Sequence, residues 1–331
     1  MSYIAVIGGG SWGTTLACLL TEKGYDVSLW VHDKTLADRI RETRININYL
    51  PDTIIPEGVR ITNSIEEALK RARYILNAVP AQYVRDVFSA GFTYVLEEAA
   101  IISLTKGIER GTLLTASSVL KELSDYTIAV LSGPSFAKEV MKKLPAAVTL
   151  AIKDRNSGHL LQEVFNMSNF RVYTHDDIIG VEIGGALKNV MAIASGISDS
   201  LGLGNNARAS LITRGLAEMT RLGVAMGAQE RTFSGLSGIG DLVLTCTSLL
   251  SRNYTVGIQL GQGMKIKDIL KQTKYIAEGV TTAESAYELA KKYKVEMPIV
   301  EQVYKVIYED KDPQQAVRSL MERSLKTEFY G

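Results

Sequence analysis

Ile4-Ala5-Val6-Ile7-Gly8-Gly9-Gly10-Ser11-Trp12-Gly13 carries a short apolar strand straight into Gly-x-Gly-x-x-Gly and on into a helix that starts near Trp12. A glycine triplet alone marks only a turn, but strand, glycines and helix in that order are the context a dinucleotide-binding loop requires. Gly8 is placed to make the tight turn, Gly10 to let the backbone approach a pyrophosphate, and Gly13 to let helix and strand pack closely. The pyrophosphate would rest on the helix N-terminus, where N–H groups and the dipole favour an anion, with Ser11 and Trp12 against it. A second strand, Val27-Ser28-Leu29-Trp30-Val31, then ends at His32-Asp33-Lys34. An acid there holds the ribose 2′-hydroxyl of NAD, and a cation favours the 2′-phosphate of NADP. Asp33 argues for the first, His32 and Lys34 for the second, so both cofactors stay open, with a lean to NADP.

Outward from this loop, the first half alternates short β-branched runs with helix-compatible stretches, the mark of βαβ units. Strands are expected at residues 3–7, 26–31, 74–79, 99–104, 127–131, 146–152 and 170–173, most of them apolar throughout, as strands covered on both faces should be. A helix is expected over 64–73, with Ser64 as N-cap and Glu67 as its capping-box partner. After about Thr174 the strand runs vanish and helical patterns follow at 178–200, 207–226, 283–292 and 299–308. The expected fold is α/β: a Rossmann-type, mostly parallel sheet domain over 1–178, followed by an all-helical domain over 179–331.

The 331 residues are about twice the usual single-domain length, which agrees with two domains. Hydrophobic residues make up 46% and charged residues 22%, a composition that fills cores and excludes disorder. Thirty-seven basic and 36 acidic side chains nearly cancel to +1, so no global field draws nucleic acid or anionic membrane. Cys18 and Cys246 stand far apart in apolar contexts, which fits a reducing cytoplasm rather than a disulfide framework. The three histidines, His32, His159 and His175, lack metal-ligand spacing, and no metal site is expected. No membrane-spanning run is expected either.

Together with the glycine loop, six segments carry a family likeness: Asn77-Ala78-Val79-Pro80, Thr105-Lys106-Gly107-Ile108-Glu109, Ser132-Gly133-Pro134-Ser135-Phe136-Ala137, Gly184-Gly185-Ala186-Leu187-Lys188-Asn189-Val190, Gly240-Asp241-Leu242-Val243-Leu244-Thr245-Cys246-Thr247 and Ser251-Arg252-Asn253. In order, and through essentially the whole chain, they resemble the bacterial NAD(P)-dependent glycerol-3-phosphate dehydrogenases. The resemblance implies reversible hydride transfer between the nicotinamide and C2 of dihydroxyacetone phosphate or sn-glycerol 3-phosphate, in the service of phospholipid synthesis. It also implies a homodimer and gives substrate and catalysis to the second domain.

Several residues can be weighed beside that likeness. Hydride transfer to a ketone needs an acid that protonates the developing alkoxide, and a base in reverse. Lys188 sits among the small and apolar residues 184–194, where desolvation would lower its ammonium toward the working range. Asp241 looks like the carboxylate that orients Lys188, and it could also cap the helix that follows. Lys106, just past a strand end where open α/β sheets bind ligands, would polarise the substrate and touch the cofactor. Ser251, Arg252 and Asn253 offer a donor fork and helix-start groups to the substrate phosphate, with a plain cap and an exposed arginine as the bland alternative. By resemblance Arg252 also reaches the cofactor, Gly133 and Ser135 face the substrate, Ala137 packs on the nicotinamide side, and Ile276 and Glu278 are late cofactor contacts. Where many relatives place arginine after the second strand, this chain has Val31 and His32.

Two other readings compete. A β-hydroxy-acid dehydrogenase of the same architecture would share the lysine but have no use for Arg252. A non-catalytic NAD(H)-sensing protein would need a nucleic-acid-binding or partner-binding segment, and no basic helix-turn-helix or tail is evident.

Overall fold

The computed structural model describes residues 3–272 and 277–328. The chain divides into two units, Met1–Thr105 with Ala116–Ile178, and Lys106–Thr115 with Ile179–Gly331. The first contains β1 (Tyr3–Ile7), α1 (Ser11–Glu22), β2 (Asp26–Trp30), α2 (Lys34–Thr43), β3 (Ile45–Asn46), β4 (Leu50–Ile54), β5 (Val59–Thr62), α3 (Ile65–Leu69) and β6 (Tyr74–Asn77). It continues through α4 (Val84–Gly91), β7 (Ala100–Ser103), α5 (Ala116–Leu123), β8 (Thr127–Ser132), α6 (Ala137–Met141), β9 (Ala146–Ala151), α7 (Arg155–Phe165) and β10 (Phe170–His175).

Eight of these strands form one sheet in the order β10-β9-β8-β7-β6-β1-β2-β5. Ile4, Ala5, Val6 and Ile7 of β1 have no exposed surface, because β1 lies between β6 and β2 and both faces are covered. The chain leaves β1 toward β2 on one side and later returns to β6 on the other. The strand order therefore reverses at β1, the switch point outside whose carboxyl end such sheets bind ligands. Leu16 and Leu20 of α1, Leu29, Ile40, Phe165 and Phe170 pack in the core over one sheet face, each contributing about 1.5–3 kcal/mol by burial.

The sheet is mostly parallel as expected, but β9 runs antiparallel to β8. The connection between them holds only the five-residue α6, too little helix to carry the chain back along the sheet. The β3–β4 hairpin lacks the alternation or apolar length that would announce it, and the edge strand β5, Val59-Arg60-Ile61-Thr62, alternates over four residues only. The helix expected over 64–73 is shorter, α3 at Ile65–Leu69. Ser64 caps it by accepting from Glu67 N at 3.2 Å, but the capping box does not close: the Glu67 carboxylate takes the Thr62 hydroxyl instead, at 2.6 Å.

The second unit is helical: α8 (Ile178–Ser200), α9 (Gly204–Ala225), α10 (Asp241–Cys246), α11 (Arg252–Gly261), α12 (Ile266–Gln272), α13 (Glu278–Tyr293), α14 (Pro298–Tyr308) and α15 (Pro313–Met321). No membrane-spanning run was expected, and among the described residues one helix meets the length and composition of such a run. α8 is long and apolar enough by length and composition, with mean hydropathy 1.4 over 18 residues, and 89% of that window is buried within the protein. Ile183, Leu187, Val190, Met191 and Ile193 of α8 lie in the unit's hydrophobic core. A helix apolar nearly all round is what a central core position asks for.

Candidate active site

Glycines let other backbone come close to α8. A Cβ on Gly184 would lie 2.5 Å from the Ser237 carbonyl, and one on Gly196 would lie 2.1 Å from the Tyr254 carbonyl. The first contact brings the glycine-rich approach to α10 against the helix, the second brings α11. Lys188 lies between these two glycines on α8 and is almost wholly buried.

Its ammonium donates to Asp241 Oδ1 at 2.6 Å and to Thr245 Oγ1 at 2.8 Å. Lys106 donates to the other oxygen, Asp241 Oδ2, at 2.7 Å. One buried carboxylate thus serves two ammonium groups, and the cluster keeps a surplus positive charge. Asp241 is the first residue of α10 and Gly240 occupies the cap position, so the helix-cap alternative for Asp241 falls. Burial pushes the Lys188 ammonium down to about 8; the Asp241 carboxylate opposes that shift and the Lys106 charge adds to it. An amine that exchanges its proton near neutrality, held by a fixed carboxylate, is equipped for general acid–base work.

Thr245 was given no role by its sequence context. It lies four residues after Asp241, on the same helix face, and its hydroxyl donates to the Asp241 carbonyl at 2.6 Å, which leaves its lone pairs to Lys188. Asn189 was likewise passed over: its amide donates to the Lys106 carbonyl at 3.1 Å and its Oδ1 accepts from Asn253 Nδ2 at 2.9 Å. Asn253 Oδ1 in turn accepts from Gly279 N at 2.9 Å, next to Glu278 at the start of α13. This chain of amides ties the Lys106 backbone, α8, α11 and α13 together around the cluster.

Ser251 is the N-cap of α11, accepting from Tyr254 N at 3.2 Å, and Arg252 is exposed beside it. Asn253 is buried and spends one amide N–H on Asn189, which leaves one for a ligand. Ile276 lies outside the described residues.

In the first unit, Gly8 holds φ +123° with its α-carbon against the Ala78 backbone, and a Cβ on Gly13 would lie 2.1 Å from the Gly8 carbonyl. These two glycines are fixed by the protein's own packing. A Cβ on Gly10 would meet nothing within 4 Å, and α1 starts there with no side-chain cap and no acidic residue in its first turn. Open space over an uncapped helix start suits a pyrophosphate, so the loop fits a dinucleotide. Ser11 donates to the Tyr49 carbonyl at 3.1 Å, and Trp12 packs in a tilted contact on Phe170.

His32 is exposed past β2, and Asp33 spends a carboxylate oxygen capping α2, accepting from Leu36 N at 2.9 Å. Ala137 opens α6, and its carbonyl accepts from Thr15 of α1 at 3.3 Å, so α6 packs beside the glycine-loop helix. Gly133 holds φ +144° over β9, and Ser135 donates to its carbonyl at 2.9 Å.

Comparison with known proteins places both units in one family. The family profile described as NAD-dependent glycerol-3-phosphate dehydrogenase N-terminus matches residues 3–158, and its C-terminal counterpart matches 177–318. Proteins named glycerol-3-phosphate dehydrogenase (NAD(P)+) from Geobacter sp. (strain M21) and Geobacter sulfurreducens are 53% and 52% identical to it over 329 residues, covering 98% of this chain and 98% of each relative. A crystal structure of glycerol-3-phosphate dehydrogenase from Coxiella burnetii is 41% identical and aligns with TM-score 0.94, covering 97% of this chain and 99% of that one.

Proposed function

The chain belongs to the NAD-dependent glycerol-3-phosphate dehydrogenase family and is an oxidoreductase; from that premise we propose that it interconverts dihydroxyacetone phosphate and sn-glycerol 3-phosphate with Lys188 as general acid and base. The observation that carries this reading is the buried cluster in which Asp241 holds both Lys188 and Lys106. NAD(P)H, when bound, supplies the hydride to C2, and NAD(P)+ accepts it in reverse. Lys188 gives its proton to the C2 oxygen during reduction and takes it back as a neutral amine during oxidation. Asp241 and Thr245 fix the direction of that ammonium, while Lys106 polarises the same oxygen. The surplus charge of the cluster favours a phosphate ester over a neutral substrate.

Arg252, with the remaining amide N–H of Asn253 and the Ser251 hydroxyl, binds the phosphate, and Gly133 and Ser135 complete the substrate contacts. Gly8, Gly10, Ser11, Trp12 and Gly13 cradle the pyrophosphate, His32 meets the adenosine ribose, and Ala137, Ile276 and Glu278 contact the rest of the cofactor. The division of labour follows: 1–178 holds the cofactor and 179–331 supplies the chemistry, assisted by the segment that carries Lys106. With one Asp33 oxygen engaged as a cap and His32 exposed, the cofactor reading keeps its lean to NADP. The enzyme would act as a cytoplasmic homodimer feeding glycerophospholipid synthesis.

The test is oxidation of NADPH and NADH, side by side, in the presence of dihydroxyacetone phosphate. Lys188→Ala should lose at least about 10³-fold in kcat while still binding cofactor. A fully active Lys188→Ala enzyme, or no turnover with either cofactor, overturns the proposal. An unchanged substrate KM in Arg252→Ala removes the phosphate assignment.

A further inference from the structure

Lys106 enters the cluster on a short loop, and the structure shows what holds that loop. Lys106–Thr115 closes on itself through Glu109 N to the Leu114 carbonyl at 2.8 Å and Leu113 N to the Glu109 carbonyl at 3.1 Å. Leu113 takes a left-handed conformation at φ 62° to make the bend. Ile108 is buried in the core of the second unit, and its carbonyl accepts from Ser285 of α13 at 3.4 Å.

At the outer bend stands Arg110, four residues from Lys106. Its Nε pairs with Glu284 Oε2 of α13 at 2.7 Å, and its Nη2 donates to the Tyr308 hydroxyl of α14 at 2.6 Å. Tyr308 is itself fixed: its hydroxyl donates to the Val280 carbonyl at 2.9 Å, and its ring stacks on Tyr304, which stacks on Tyr287 at 4.2 Å between centroids.

We propose that Arg110 is a positioning residue for catalysis, a clamp that fastens the Lys106 loop to α13 and α14 and so sets where the Lys106 ammonium sits over Asp241. The inference rests on the reading that Lys106 serves the reaction. A planar guanidinium reaches two acceptors on two helices at fixed angles, which a lysine cannot do. The ion pair itself is half-exposed and adds little to stability. Its value is geometric, since misplacing a catalytic group by about 1 Å can cost 10²-fold.

Kinetics of the full-length enzyme decide the matter, using Arg110→Ala, Lys106→Ala, the double variant and Arg110→Lys. Arg110→Ala should lower kcat/KM for dihydroxyacetone phosphate about tenfold with an unchanged cofactor KM. On the Lys106→Ala background the same change should cost nothing further, because its effect passes through Lys106. Arg110→Lys should recover part of the loss by keeping the pair with Glu284.

The pH profile gives a readout that plain destabilisation would not move. Asp241, Lys106 and the Cys246 thiol bear on Lys188. If the Lys106 charge is held less closely, Lys188 keeps its proton to higher pH, and the alkaline limb of the reduction moves up.

An equal loss on both backgrounds, or a lowered melting temperature with unchanged kinetics and pH limb, overturns the clamp. Should Arg110→Ala not fold, Tyr308→Phe keeps the ring stack and drops the hydroxyl acceptor. It should cost about threefold, again only when Lys106 is present, and additivity there overturns the proposal equally. A fully active Lys106→Ala enzyme would remove the role of Lys106 and the clamp with it. An impaired Lys106→Ala beside a wild-type Arg110→Ala would remove the clamp alone.

Discussion

The glycine loop of the first unit and the lysine cluster of the second are built by opposite means for the roles proposed for them. The loop works through missing side chains: Gly8 makes room for the Ala78 backbone, Gly13 for the Gly8 carbonyl, and a Cβ on Gly10 would meet only open space. The cluster works through side chains that take one another out of water, with Asp241 bridging residues 135 and 53 positions away in the chain. A site made of gaps is robust in charge and fragile in shape; a site made of buried charges is the reverse. Each half therefore has its own characteristic point of failure.

Asp241→Asn attacks the charge side and should have the largest effect. Without the carboxylate, Lys188 faces Lys106 uncompensated and its ammonium is pushed further down. Reduction should lose about 10²–10³-fold in kcat/KM at neutral pH, and its alkaline limb should move to lower pH. An unshifted limb would mean that Asp241 does not govern the proton of Lys188.

The shape side is tested by a pair of alanines. Gly13→Ala drives a Cβ into the Gly8 carbonyl and should destabilise the first unit by about 1–3 kcal/mol. Gly10→Ala meets only open space, at φ −74° that any residue adopts, so thermal stability should hold. Its cofactor KM should nevertheless rise by about tenfold. If Gly10→Ala binds cofactor normally, the pyrophosphate does not lie there.

The smallest effect separates a buried carboxylate held by two ammonium groups from one held by two backbone N–H groups, with the Arg221 and Arg323 charges also acting on it. Glu218 of α9 caps α14, accepting from Ile299 N at 2.8 Å and Val300 N at 3.2 Å. Burial raises its carboxyl to about 7, against the pull of those two N–H groups. A raised carboxyl stabilises most below the unfolded value near 4.5, and that contribution is lost as pH rises through about 7. Wild-type stability should decline across that window by at most about 1.4 kcal/mol per pH unit, and Glu218→Gln should flatten the decline. An equally steep Gln variant would place the titration elsewhere.

What could be read before folding follows the same division. The glycine loop, the strands flanking it and the span of α8 lie in contiguous residues whose patterning is local, and they were legible. Lys188 was legible as a charge out of place on an apolar helix. Its partners were not readable from spacing: the pairing with Asp241 rested on family likeness, and Thr245 and Asn189 were missed. Each acts through a contact set by how α8, α10 and α11 cross, which no single stretch encodes. Thr245 alone left a local trace, the four-residue spacing from Asp241. Glu67 shows the converse, a local capping signal outbid by a nearby hydroxyl, Thr62.

The burial of α8 also bears on how the chain is made. Synthesis runs from the N-terminus, so α8 leaves the ribosome before α9 to α15, which supply most of the rest of its core, have been translated. For that interval a segment apolar enough for a membrane is uncovered. Lys188 lies near its middle, and a lysine there costs membrane insertion about 2.5–3.5 kcal/mol. The residue proposed to move a proton in the finished enzyme would thereby also discourage the nascent helix from entering the bilayer.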